Sequence, residues 1–166
     1  MDSVDKYFDH LDKEYGLTRI KYQKIIFAFD KDSFSDNHFN TAIQQAKARY
    51  PDCIVAWSNE SFELWLLLHF NLVQSALPRQ QYNSQLTKIF REAGILNGQQ
   101  NYDRVGKTLD NIFDAITQAG GSLGVALKNA ETLAKGNPYK ANPAKSNPVT
   151  MVHKAVNALI KESKTT

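Results

Sequence analysis

The stretch KIIFAFDKDS, residues 24–33, decides how the rest of the chain is read. Residues 24–29 are a short run of β-favouring side chains that turns abruptly polar at Asp30. A buried parallel strand behaves this way at its C-terminal end. CIVAW, residues 53–57, repeats the pattern, and SNES follows it. Between the two strands, Phe39, Ile43 and Ala46 to Ala48 share one side of a helix from about Ser35 to Tyr50, which Pro51 closes. Ser58 or Asn59 is expected to cap the helix FELWLLLHF, residues 62–70. Strand, helix, strand, helix predicts a parallel sheet flanked by helices. No third run of equal quality follows, although an independent sheet needs three or more strands.

Outward from this core, residues 3–16 space Val4, Tyr7, Phe8, Leu11 and Tyr15 as one face of a helix, with Ser3 as N-cap and Gly16 as stop. After residue 72 the pattern is helical: residues 81–94, 107–120, 122–136 and 148–162 all carry spaced apolar positions. GNPYKANPAKSNP, residues 136–148, lacks periodicity and reads as an exposed loop. The expected fold class is α/β, with an α/β core over residues 1–72 and a mostly helical part over residues 73–166. A chain of 166 residues suits one domain.

Composition narrows the classes of function. With 42% hydrophobic and 22% charged residues, the chain reads as globular. A net charge of +3 permits a nucleic-acid partner without requiring one. Cys53 is the single cysteine, which excludes intrachain disulfides and cysteine-based zinc sites. The first residues do not read as a secretory leader, and LWLLLHF is far shorter than the ~20 residues a membrane span requires. The expected compartment is the cytoplasm.

Ligand sites of parallel sheets lie beyond the carboxyl ends of the strands. Asp30 and Asp32 follow the first strand, and Ser58 to Glu63 follow the second. In an extended segment residues two apart point the same way, so Asp30 and Asp32 can present oxygens to one hard cation, Mg²⁺ or Mn²⁺, while Lys31 faces elsewhere. The spacing equally suits a strand end with a capped turn, and both readings stay open. Glu63 is the candidate additional carboxylate, its alternative being a buried helix-start residue bonded to backbone N–H groups or to a basic partner. GKT at 106–108 is not a phosphate-binding loop, because position 101, where that pattern needs glycine, is Asn. His10, His38, His69 and His153 lack metal-ligand spacing. Lys135, Lys140 and Lys145 with Tyr139 form a basic segment that suits either solvent or nucleic acid.

Taken in order, FAFDKDSF (27–34), VAWSNESFELWLLLHF (55–70), NYDRVGKTLDNIFDAI (101–116), ALKNAETLAKG (126–136) and NPVTMVHKAVNALI (147–160) closely resemble the RloB-like family over nearly the whole chain. The most specific part is S-N-x-x-F-E-x-W-x-L-L-H-F, in which Glu60 stands where the family often has proline. The resemblance implies a toprim-like (Rossmann-like) fold and a bacterial antiphage or abortive-infection role beside an ABC/AAA-type ATPase. It also implies Mg²⁺-dependent cleavage of DNA or RNA phosphodiesters, with Asp30 and Asp32 matching the family's metal-binding D-x-D and Glu63 added as a catalytic carboxylate. Arg104 and Lys107 follow Tyr102 where the family tends to carry Tyr and a basic residue, and either suits a phosphate contact or plain solvated surface charge. The family's earlier segment, a strand followed by a glutamate-bearing turn, has no counterpart before the helix at residue 4, and Glu14 lies at the wrong end of a helix to replace it. The expectation is a shortened form with weak metal binding and little cleavage. The competing expectation is a non-catalytic module whose helical half docks on the ATPase or on another copy, and a toprim phosphotransferase is the third.

Overall fold

The computed structural model describes residues 3–16, 24–137 and 140–164, the side chains of residues 3–5 and 107 excepted. The Ser3 cap, the Val4 and Lys107 side chains and Tyr139 therefore lie outside the described residues.

Both expected strands form. β1 (Ile26–Asp30) and β2 (Ile54–Asn59) pair in parallel, from Ile26 with Ile54 to Asp30 with Ser58. Among the described residues the sheet has three strands in the order β1-β2-β3, and β3 (Val149–Thr150) runs antiparallel to β2. The parallel sheet expected from sequence is thus mixed. β3 was read as helix because Pro148 to Glu162 has one continuous spaced pattern, whose first residues pair with the sheet before the helix starts. Met151 N–H extends the pairing by donating to Trp57 C=O at 2.7 Å.

α1 (Ser3–Tyr15) and α2 (Asp36–Arg49) pack with the sheet around Phe8, Phe39, Tyr50, Val55 and Trp57. The aromatic rings meet edge to face, Phe39 against Trp57 at 5.6 Å and Phe8 against Phe27 at 5.2 Å. Ser35 caps α2 by accepting from His38 N–H.

A second, larger apolar cluster lies among the remaining helices. They are α3 (Glu63–Leu67), α4 (Arg79–Glu92), α5 (Tyr102–Val105), α6 (Ile112–Gln118), α7 (Leu123–Gly136) and α8 (Val152–Ser163). Leu64, Leu67, Leu68, Tyr82, Leu86 and Phe90 at its centre are fully buried. Burying one such side chain stabilises by roughly 1.5–3 kcal/mol, so this cluster anchors both α3 and α4, which carry site residues.

Three local expectations are corrected. Residues 107–120, read as one helix, are broken by a 3₁₀ turn at Gly106–Thr108 and restart as α6, where Asn111 accepts from the N–H groups of Phe113 and Asp114. Asn111→Ala is expected to cost about 1 kcal/mol, measured as a drop in the urea midpoint. Ser58 and Asn59 do not cap α3, because they belong to β2 and are buried: Ser58 Oγ lies 3.0 Å from Thr150 Oγ1, and Asn59 Nδ2 donates to the carbonyls of Pro143 and Ala144. Asn59 thereby ties down the segment expected to be an exposed loop. Within 136–148, Ala144 and Ser146 are buried and Pro143–Lys145 forms a 3₁₀ turn. Asn40 reinforces it by accepting from Ala144 N–H.

Candidate functional site

Asp30 is the last residue of β1, and its position at the strand's carboxyl end follows from the register with β2. The ladder runs on past the strand: Lys31 N–H donates to Ser58 C=O and Asp32 N–H to Glu60 C=O, both at 2.9 Å. The peptide between Asn59 and Glu60 is cis, at the position where the resemblance set Glu60 against proline. Asp32 is not extended, as the two-residue argument assumed, but has φ 43°, a left-handed conformation that Asp tolerates better than most residues. Its carboxylate nevertheless reaches the same partner as that of Asp30. Lys31 turns away, as expected, to Asp36 Oδ1 at 3.2 Å and Phe34 C=O at 2.8 Å.

The shared partner is Arg79, the first residue of α4. Its Nη1 donates to Asp32 Oδ2 at 2.9 Å and its Nη2 to Asp30 Oδ2 at 3.3 Å. Its Nε stands 3.6 Å from Oε2 of Glu63, the first residue of α3. Three carboxylates, from β1, the turn after it and α3, thus surround one guanidinium, whose planar fork suits several acceptors at once. Glu63 is almost fully buried, whereas Asp32 keeps about half its side chain in solvent, 46%.

The electrostatics are those of an acid-rich cluster gathered on a guanidinium. Burial pushes the Asp30 carboxyl above its ordinary value; the Phe62 N–H hydrogen bond and Arg79 oppose this, and the Glu63 and Asp32 charges add to it. Arg79 is held still more basic by Glu63, Asp32 and Asp30, which outweigh its own burial. Buried Tyr102 stands behind the cluster, its hydroxyl made less acidic by burial and by the Glu63 charge.

The sequence reading therefore placed Asp30, Asp32 and Glu63 in one cluster but missed Arg79. One signal was available: in LPRQQ a basic residue opens a helix, where the dipole disfavours positive charge, so a local penalty points to tertiary acidic partners. Arg104 and Lys140 are exposed. Arg104 sits on α5, and Lys140 stands by a surface cavity lined also by Lys135, Lys154 and His153. The cation at the carboxylates is Arg79 rather than either of these. Lys145 is drawn to Asp36 at 2.7 Å, and with Lys31 it keeps that carboxyl more acidic than usual.

The donor chemistry, three hard carboxylate groups, is the kind that Mg²⁺ and Mn²⁺ take. The arrangement is not: among the described residues no group of three or more His, Cys, Asp or Glu side chains is disposed to hold a metal ion. Each of the three carboxylates instead directs an oxygen at Arg79. As arranged, the cluster fits a guanidinium and does not fit a metal.

A family model described as RloB-like protein matches residues 3–159. No curated protein and no solved structure matches the chain. Among the described residues no helix is long and apolar enough to cross a membrane.

Proposed function

This chain belongs to the RloB-like family, and from that premise we propose that it serves nucleic-acid phosphodiester cleavage in bacterial antiphage defence or abortive infection. Asp30, Asp32 and Glu63 form the acidic centre of this reading, and Arg79 is its resting counter-ion. One observation carries it: the three carboxylates meet at the carboxyl edge of the parallel strands, where α/β proteins place their ligand sites. The proposed activity is weak in this arrangement, because the position a Mg²⁺ or Mn²⁺ ion needs is filled by a side chain. Toprim-like chemistry, a cytoplasmic setting and control by an ABC/AAA-type ATPase belong to the same proposal.

The test is cleavage of labelled single- and double-stranded DNA and RNA with Mg²⁺ or Mn²⁺. Slow cleavage that is lost in Asp30→Ala supports the proposal. Cleavage that survives Asp30→Ala and Asp32→Ala together refutes it.

A second reading is favoured by the ion pairs themselves. Carboxylates already paired with Arg79 suit a structural clamp between β1, α3 and α4, leaving the chain a non-catalytic module that binds the ATPase. Co-purification with the ATPase that survives both Asp substitutions, with no cleavage by the wild type, selects this reading.

A further inference from the structure

β1 is the edge of the sheet, and among the described residues no strand lies on its outer side. Its backbone groups alternate between the two sides. Ile25 C=O accepts from Ile54 N–H and Lys31 N–H donates to Ser58 C=O, both at 2.9 Å, so the odd-numbered residues bond to β2. Ile26, Ala28 and Asp30 then direct their N–H and C=O groups outward. Soluble proteins normally guard such an edge with a proline, a bulge or a mid-strand charge. β1 has none of these over Ile26 to Phe29, and Ala28 is exposed although its partner on β2, Ala56, is buried.

The edge lies in an apolar groove of about 770 Å³ between α1 and α2. Tyr7, Tyr15 and Phe34 on its rim are each more than half exposed, at 58%, 54% and 61%. These are large rings to leave in water, and they flank a strand whose outward backbone groups have no strand partner among the described residues.

We propose that this edge pairs antiparallel with β1 of a second copy of the chain, joining two three-stranded sheets into one. The strand is self-complementary in that direction. Centred on Phe27, the pairing sets Ile26 opposite Ala28 of the other copy and Lys24 opposite Asp30, and a twofold axis repeats each pair. All four residues belong to the outward-facing set, so the register that matches charges also satisfies the backbone groups. An in-register parallel pairing would instead set Lys24 against Lys24 and Asp30 against Asp30. A carboxylate has about four acceptor sites, so Asp30 can take this lysine beside Phe62 N–H and Arg79. A strand from an unrelated protein has no reason to supply the matched charges, which is why a second copy is the occupant assigned.

Sedimentation equilibrium of the full chain over a wide concentration range tests the pairing. The wild type is expected to show a reversible monomer–dimer equilibrium. Ala28→Lys, which sets a charge on an already exposed position, is expected to be monomeric with an unchanged near-UV spectrum. Ala28→Pro, which removes one outward N–H, provides the same test if the lysine variant folds poorly. Lys24→Glu is expected to weaken the dimer about tenfold at low salt, with the difference shrinking at high salt. A wild type monomeric at every concentration overturns the proposal, as does a dimer indifferent to all three substitutions. A monomer that takes up extended peptides from a library overturns it in favour of a foreign strand.

Discussion

Arg79→Ala is expected to lower the unfolding free energy by about 3 kcal/mol, read as a fall in the urea midpoint without a change in slope. The variant removes the cation that Asp30, Asp32 and Glu63 share. Glu63 is 4% exposed and cannot turn to water without moving α3, whose neighbours Leu64, Leu66 and Leu67 are buried. Breaking a fully buried pair costs about 3–5 kcal/mol; the lower end applies because Arg79 and Asp30 are each a quarter exposed and Asp32 nearly half. Arg79→Lys is expected to fall between, since one ammonium cannot reach three acceptors placed around a planar fork. The same variant decides whether the cluster takes metal. With the guanidinium gone, Mg²⁺ or Mn²⁺ is expected to raise the melting temperature of Arg79→Ala well beyond the effect of Na⁺ at equal ionic strength, and to leave the wild type unchanged. Asp30→Asn added to Arg79→Ala should abolish that rise. A large loss of stability with no recovery in either metal would mark the carboxylates as a clamp for arginine alone, and the non-catalytic reading would stand.

The core strands were legible because their signal is local. Ile25 to Phe29 and Cys53 to Trp57 are uninterrupted apolar runs ending in polar residues, and both lie where such runs place strands. The convergence of Asp30 and Glu63 followed from topology, since the ends of adjacent parallel strands are neighbours whatever joins them. What stayed hidden depends on distant contacts. Val149 and Thr150 form a strand only because Ser58 and Asn59 offer them an edge some ninety positions away, and two residues carry no period of their own. The segment around Ala144 looked like solvent-exposed turn chemistry, yet its carbonyls are bound by Asn59 and its amide by Asn40. Arg79 is the most consequential omission: nothing near it in sequence is acidic, and its three partners lie 16, 47 and 49 positions back. A pattern of candidate ligands identifies a cluster of charge, but which cation completes it is decided by tertiary structure.

Stability is also expected to fall as pH drops from 7 to 5, with His69 and His153 as the cause. Both rings are buried, at 2% and 5% exposure, and burial lowers the affinity of each for a proton. Each Nδ1 lies 3.0 Å from a carbonyl oxygen, Trp65 for His69 and Thr150 for His153. A carbonyl only accepts, so Nδ1 carries the hydrogen and Nε2 is the bare atom of the neutral ring. For His69 that Nε2 is buried, with no hydrogen-bond partner among the described residues, and the edges of Trp65 and Phe113 pack nearby. Protonating it would set a charge in apolar surroundings. The unfolded chain takes up these protons near 6.5 while the folded chain resists, so native stability is full above that value. It is then lost as pH falls towards the depressed folded values, at up to about 1.4 kcal/mol per pH unit for each proton. Asp30 acts with the opposite sign, because its raised folded value lets the native state bind a proton first and recover stability as pH approaches the carboxylate range. Chemical melts at pH 7, 6 and 5 separate the two effects when repeated on His69→Asn with His153→Asn, where the amide can still donate to the same carbonyls but cannot titrate. The paired variant is expected to flatten the profile between pH 7 and 5. An equally steep decline in that variant would move the cause of acid lability away from these two histidines.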